Sequence, residues 1–384
     1  MKQLVKTTIY GSIAAAALFT ASGAFAAEPG DFQANLRGAT IGIPAGALPP
    51  PGLYGGLETF VGPNGVGQGH DGAAEGANSG HGLTVFGEAI APSLLWSTGW
   101  NFFGGNIGFL VVQPLFTVAG LQTNCTPSAF GCTGSEPIAF GAGAGAFFEN
   151  VHNTTWQAID SWNWKNGWFT SLSFAVQGPD GSQYNGTLNQ DYWTFSPGAA
   201  ISYIDKTWKV SANIDYDFHT ASAGHTGSYA ALANNTPIGA GPLAGLPGGI
   251  ESIGDGYTGG QQLFIDWNVL YRWGKLEIGP VGYFKFQTTS DSPGAGLTCA
   301  SLAATAFPTG GTFGTNGLGC GREEDIALGG EIGYDFGPAE LEVWATDSVY
   351  TRDDFMGPSV FTRLSFKLDS PAPASAAPMA TKAH

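Results

Sequence analysis

Charge is what this sequence has little of. Asp, Glu, Lys and Arg make up 11% of its 384 residues, against about a quarter in an ordinary soluble domain. A deficit of that size excludes a surface wetted all round. Basic residues are few, 14 Lys and Arg against 30 Asp and Glu, for a formal net charge of −16. No basic face is available to neutralise phosphates, which excludes a nucleic-acid partner. Past residue 26, no stretch approaches the roughly 20 consecutive apolar residues that a membrane helix needs. Motifs of chemistry are missing too. There is no H-E-x-x-H and no EF-hand loop. Gly141-Ala142-Gly143-Ala144-Gly145 lacks the P-loop lysine and a following helix, and Asn153-Thr154-Thr155 is a sequon by letter only. His81, His152, His219 and His225 lie near loops or strand ends, but no nucleophile motif accompanies them. No catalytic residue, metal or cofactor is therefore expected, and the chain is not read as an enzyme.

What is present points to export and to a membrane. Lys2 and Lys6 precede an apolar run from Ile9 to Phe19, and Ala24-Phe25-Ala26 supplies an A-x-A cleavage pattern, so residues 1–26 are expected to be a signal peptide. Hydrophobic residues make up 43%, aromatics 13%, and there are 60 glycines, a composition that suits strands, bends and loops and opposes long helices. Cys125 and Cys132, and Cys299 and Cys320, lie in loop-like segments. Two local disulfides in an oxidising compartment are the simple expectation, with connectivity left open by spacing. A zinc site lacks both a C-x-x-C pair and neighbouring histidines.

The strongest pattern is period-2 alternation. Trp208, Val210, Ala212, Ile214, Tyr216 and Phe218 alternate with Lys209, Ser211, Asn213, Asp215 and Asp217. Leu263, Ile265, Trp267, Val269, Tyr271 and Trp273 alternate with Gln262, Asp266, Asn268 and Arg272. Similar runs cover 193–203 and 325–336. A soluble sandwich also alternates. Here, however, the strands reach about ten residues, the length of a tilted membrane strand, and aromatics stand at their ends, as interfacial girdles require. Connections also alternate in length. Ser97 to Asn101, Lys165 to Gly167, Ile204 to Thr207, Gly274-Lys275 and Gly337-Pro338 are short; Gly62 to Gly82, Val118 to Gly145, Gly178 to Asp191, Thr220 to Gly260 and Ser290 to Arg322 are long. Short periplasmic turns and long outer loops mark an up-and-down barrel.

The fold class is thus all-β, a transmembrane antiparallel up-and-down β-barrel of about twelve strands. They are expected near Leu53 to Val61, Leu83 to Trp96, Gly105 to Phe116, Phe147 to Trp164, Trp168 to Gln177, Tyr192 to Tyr203, Trp208 to Phe218, Gln261 to Trp273, Leu276 to Thr288, Glu323 to Phe336, Ala339 to Tyr350 and Met356 to Leu368. The barrel occupies 51–368. Residues 27–50, unpatterned and Gly/Pro-containing, are expected as a periplasmic segment, with entry into the barrel as a plug the alternative. Residues 369–384, rich in Pro and Ala, are expected as a disordered tail.

Several segments in order carry a family resemblance: Pro51-Gly52-Leu53-Tyr54; Gly104-Gly105-Asn106-Ile107-Gly108-Phe109 with Pro114-Leu115; Asp191-Tyr192-Trp193-Thr194-Phe195-Ser196-Pro197-Gly198; and Gly282-Tyr283-Phe284-Lys285-Phe286-Gln287-Thr288-Thr289-Ser290-Asp291-Ser292. From Pro51 to Leu368 the chain resembles the outer-membrane transporter family associated with the meta-pathway of phenol degradation. The resemblance implies passage of aromatic or other small hydrophobic solutes across a bacterial outer membrane. Its ending departs from the usual barrel, since a tail follows Phe366-Lys367-Leu368 where barrels commonly close on a terminal aromatic.

If apolar faces meet lipid, polar faces line the lumen. The lumen candidates are Glu58, Glu88, Lys209, Asp215, Asp217, Asp266, Asn268, Arg272, Glu277, Tyr283, Lys285, Asp325, Glu331, Glu340, Glu342 and Arg363. Such charges must be paired or wet, as a packed network of ion pairs, a hydrated acidic path, or both at different depths. An acidic lumen disfavours anions and leaves neutral or cationic solutes. Phe264, Tyr283 and Phe361 are interleaved on the polar faces, as steps for a hydrophobic ring or as lumen filler. The expected partners are outer-membrane lipid, the outer-membrane assembly machinery and small hydrophobic or aromatic solutes. A structural or surface-interaction barrel with a plugged lumen and functional outer loops is the alternative function.

Overall fold

In the computed structural model the chain is an all-β antiparallel barrel. Residues 35–66, 83–124, 137–140, 148–181, 192–221, 258–292, 322–352 and 357–369 are described. The strands are β1 (Gly52–Val66), β2 (Leu83–Phe102), β3 (Gly105–Val112), β4 (Leu115–Asn124), β5 (Pro137–Phe140), β6 (Phe148–Val151), β7 (Thr155–Lys165), β8 (Trp168–Gln177), β9 (Thr194–Ile204), β10 (Trp208–His219), β11 (Gln262–Trp273), β12 (Leu276–Gln287), β13 (Glu324–Asp335), β14 (Ala339–Arg352) and β15 (Ser359–Asp369). The first strand pairs with both β2 and β15, so the sheet closes on itself. Closure leaves no sheet edge to satisfy in lipid.

The wall has twelve staves. One long stave is split into β3 and β4 at Gln113-Pro114, because proline has no N–H for the ladder. Another is split into β6 and β7 at residues 152–154, and β5 pairs antiparallel with the far end of β4. Strand β2 pairs with β3 along one half and β4 along the other. Side chains seam the two breaks together. Gln113 Nε2 donates to the His152 carbonyl at 2.7 Å, Thr154 Oγ1 to Gln113 Oε1 at 2.7 Å, and the Thr154 amide to Asp180 Oδ1 at 2.8 Å.

The short turns gather at one end of the barrel, where β1 begins and β15 finishes: Leu53 is the partner of Asp369. Asn166 and Gly167 take φ of 52° and 86°, the left-handed pair that an Asn-Gly hairpin turn requires. One expected turn is corrected. Strand β2 runs through Ser97 to Asn101 as far as Phe102, a bulge absorbs the extra residues, and the reversal falls at Phe103-Gly104. Thr98 explains how: its hydroxyl donates to the Ile107 carbonyl and accepts from the Trp100 amide, holding the bulge in the sheet.

Outward faces are apolar. Trp100, Trp164, Trp168, Trp208, Trp273 and Phe336 are exposed near the turn end, and Trp156, Phe174 and Trp193 near the loop end. Two aromatic girdles flank an apolar band carrying Ile201, Ile214 and Ile278, all exposed, which is the outer surface of a membrane barrel. Among the described residues no helix is long and apolar enough to cross a membrane; the strands do the crossing.

Candidate functional site

Strand parity sends one side chain of every two into the lumen. On β10 the inward set is Lys209, Ser211, Asn213, Asp215, Asp217 and His219; Lys209, Ser211, Asp217 and His219 are buried, while Trp208 and Ile214 on the other face are exposed. Polar side chains are thus buried and large apolar ones exposed, the reverse of a soluble domain.

Near the turn end, charges from six strands form one network. Lys209 Nζ on β10 pairs with Glu277 on β12 and reaches Glu340 and Glu342 on β14 at 3.3 and 2.9 Å. Arg363 on β15 joins Glu342 at 3.0 Å to Glu58 on β1 at 2.7 Å. Arg272 adds a 2.8 Å contact to Glu277, and Asn268 donates to the Lys209 carbonyl at 3.2 Å. Glu277, Glu340 and Glu342 bring carboxylate oxygens within 4.8 Å of one another, a geometry that could hold a metal ion. The ammonium of Lys209 pairs with all three, so the protein supplies the cation itself.

Residues 35–50 run inside the lumen. Their turns satisfy part of their own backbone: the Ala39 amide bonds Leu36, Ile41 bonds Gly38 and Ala47 bonds Pro44. The wall satisfies much of the rest. Asn35 donates to both oxygens of Asp217, Arg37 pairs with Asp325 at 2.6 Å, and Thr40 donates through N and Oγ1 to Asp266. Arg363 donates to the carbonyls of Ile41 and Ala39. Lower down, the Ala45 and Gly46 amides bond Ser211 and Ser202, Ser171 and Ser161 donate to the Ala45 and Gly46 carbonyls, and Ser97 donates to the Pro49 carbonyl. Ile41 is fully buried. This corrects the periplasmic placement of 27–50 for its described part. The segment shows no periodicity because its backbone is satisfied by side chains of the wall rather than by a ladder.

Above the ion network stands an aromatic wall. Trp344 and Phe361 stack with centroids 4.9 Å apart and planes at 3°, and Phe361 meets Phe60 at 5.0 Å. The Arg363 guanidinium lies 4.5 Å from the Trp344 ring centroid, a cation–π contact tying wall to network. Phe264, Tyr283 and Phe361, the aromatics placed on polar faces by sequence, are all buried, and the Tyr283 hydroxyl donates to Asp325 at 2.6 Å. Outside the membrane-spanning strands, burial holds His152 down at about 4. In the β9–β10 turn, the amides of Thr207 and Trp208 and the Tyr203 hydroxyl hold the Asp205 carboxyl below its ordinary range.

Most of the lumen candidates converge. Glu58, Lys209, Arg272, Glu277, Glu340, Glu342 and Arg363 share the lower network, which Asn268 buttresses. Asp217, Asp266 and Asp325 hold the plug; Asp215 accepts from Asn213, and Lys285 pairs with Glu323. Glu331 is buried with both oxygens lacking a hydrogen bond. The side chain of Glu88 and the four cysteines Cys125, Cys132, Cys299 and Cys320 lie outside the described residues, as do 1–34 and 370–384. Trp344, Phe60, Thr346, Ser161 and Ser171 carry no signal singled out in the sequence, and Ser202 and Ser211 lie on polar faces without being among the lumen candidates. Parity alone could have found Trp344, two residues from Glu342 on the same face.

The family model described as the MetA-pathway of phenol degradation matches residues 69–364. The COG4313 outer membrane channel from Pseudomonas putida F1 is similar in structure, with a TM-score of 0.55 at 10% identity, covering 84% of this chain and 97% of that one. The transport unit of the autotransporter AIDA-I from Escherichia coli gives a TM-score of 0.41 at 9% identity, covering 82% and 89%. The beta domain of the Bordetella autotransporter BrkA gives 0.40 at 10%, covering 83% and 100%. No curated protein matches the chain. The first likeness agrees with the barrel fold.

Proposed function

The chain belongs to the family of the MetA-pathway of phenol degradation, matched over residues 69–364; from that premise we propose that it is an outer-membrane channel passing small hydrophobic or aromatic solutes by diffusion. The observation that carries this is the aromatic wall of Phe60, Trp344 and Phe361 inside a lumen otherwise lined by charge. Rings inside a barrel are not needed to face lipid, and they give the lumen an apolar stretch that suits an apolar solute. Carboxylates outnumber cations along the same lumen, which disfavours anionic solutes, so neutral phenol-like compounds fit better than benzoates. The barrel works on binding and diffusion, with no catalytic step. Export removes residues 1–26, assembly machinery inserts the barrel, and lipid covers its outer band.

The test is uptake into proteoliposomes of phenol, toluene and a charged benzoate, against lipid-only vesicles because neutral aromatics cross bilayers unaided. Protein-dependent uptake of the neutral compounds above benzoate supports the channel. One observation favours a second reading, a structural or surface-presenting barrel: residues 35–50 fill the lumen with bonds to wall residues on many strands. No conductance and no added uptake from a folded barrel would select it.

A further inference from the structure

We infer that Glu331, Trp344 and Thr346 form a recognition point for the hydroxyl group of an aromatic solute; this rests on the channel function proposed above and assigns its selectivity. Trp344 Nε1, Thr346 Oγ1 and both carboxylate oxygens of Glu331 are buried and without a hydrogen-bond partner. Buried polar groups in folded proteins are nearly always paired. Here a donor, a two-oxygen acceptor and a hydroxyl lie unpaired at neighbouring positions of one face. Glu331 on β13 is the direct cross-strand partner of Trp344 on β14, so both side chains project from the same face, a few ångströms apart at Cβ. Thr346 lies two residues along β14, on that face again, and its own partner on β13 is Gly329, which has no side chain to bond it.

The surroundings suit a ring. Trp344 stacks on Phe361, and Phe361 meets Phe60, giving an apolar wall with a few convergent polar groups, which is how small-molecule sites are built. The plug covers the carboxylate without bonding it. A Cβ at Gly42 would come 2.7 Å from Glu331 Oε1, so the glycine backbone lies against Glu331 without engaging it.

A phenolic hydroxyl matches this set in both directions. It donates to the Glu331 carboxylate and accepts from the Trp344 indole N–H, with Thr346 able to take either role. A hydrocarbon such as toluene can use the rings only. A benzoate brings a negative charge into a buried site that already has Glu342 for a neighbour. The site therefore selects a neutral hydroxylated ring over both.

The test compares full-length wild type, Trp344→Phe and Thr346→Val, each checked for a folded barrel by heat-modifiable gel migration. Phenol and toluene binding is measured on the detergent-solubilised protein, and uptake of both in proteoliposomes. Trp344→Phe keeps a ring and removes the donor; Thr346→Val keeps the shape and removes the hydroxyl. Each is expected to weaken phenol binding by roughly 3- to 10-fold, the worth of one hydrogen bond, and to leave toluene unchanged. Unchanged phenol binding in both variants means that the unpaired atoms never meet a solute, and the inference fails. Equal losses for phenol and toluene mean a packing effect, and it fails equally. Toluene uptake without any preference for phenol overturns the recognition point alone, whereas no protein-dependent uptake of either solute overturns the channel function and the inference with it.

Discussion

Lys209 on β10 and Glu342 on β14 meet 2.9 Å apart, with β11, β12 and β13 between their strands. The contact is a chord across the barrel, not a neighbour pair on its wall. Both side chains are buried, at 5% and 6% exposure, so the pair is not the lining of a wide hydrated pore. With Arg363 and Glu58 it makes a crossbar near the turn end, and the plug backbone rests on its Arg363 member.

Removing the cation should destabilise the barrel strongly. Lys209→Met keeps the stem but leaves Glu277 and Glu342 facing each other in a buried site. Breaking a buried pair from one side costs about 3–5 kcal/mol. The temperature at which the folded gel band is lost should fall well below that of wild type. A double variant, Lys209→Met with Glu342→Gln, should recover part of the loss, and no difference between the three would mean that the network is hydrated.

The plug can be tested through one glycine. Gly42 sits at φ +80°, and a Cβ there would meet the Glu331 carboxylate, so Gly42→Ala is strained both in its backbone and against the wall. The variant should displace the segment and raise single-channel conductance above wild type, while the barrel's thermal stability changes little. Unaltered conductance would show that the segment does not limit passage at this depth.

The membrane placement has a depth test on a single face. Ile265 is the partner of Ile214, which stands midway along β10, and Trp273 closes the same face of β11 at the turn-end girdle. Ile265→Arg should cost about 2–4 kcal/mol and Trp273→Arg about 0–1, read as unfolding free energies in lipid vesicles. Equal costs at the two positions would contradict the assigned depth.

How much of this was legible in the sequence follows from what each part depends on. Strand β8 is legible as Trp168 to Gln177, its observed span, because the Asn166-Gly167 turn fixes its start and alternation carries it on. The Ser97 to Asn101 stretch misled because its small polar residues look like a turn, while the bulge that keeps them in the sheet depends on Thr98 meeting Ile107 across strands. Parity placed the charged candidates on one face, but not which of them meet across the lumen. Lys209 and Glu342 are joined only by barrel closure. The plug was least legible: its bonds to Asp217, Asp266 and Arg363 come from strands far along the chain, and no local pattern in 35–50 announces them.

The seam between the two broken staves should respond to acid. His152 lies between β6 and β7, at the loop end, with its amide bonded to the Pro114 carbonyl and its carbonyl held by Gln113. Burial lowers its imidazole from an ordinary value near 6.5 to about 4, so it is neutral in the folded barrel while the unfolded chain takes up a proton below about 6.5. The sign follows from linkage: where the unfolded state binds more protons, stability rises with pH. Above about 6.5 the seam keeps its full stability; between 6.5 and 4 it loses it progressively, on the order of 3 kcal/mol in all. His152→Leu keeps the volume and removes the titration. Wild-type melting temperature should therefore fall more steeply than that of His152→Leu between pH 7 and pH 4, with hydrogen exchange rising first at residues 113 and 152–154. Parallel slopes for the two proteins would mean that His152 is already protonated in the folded barrel.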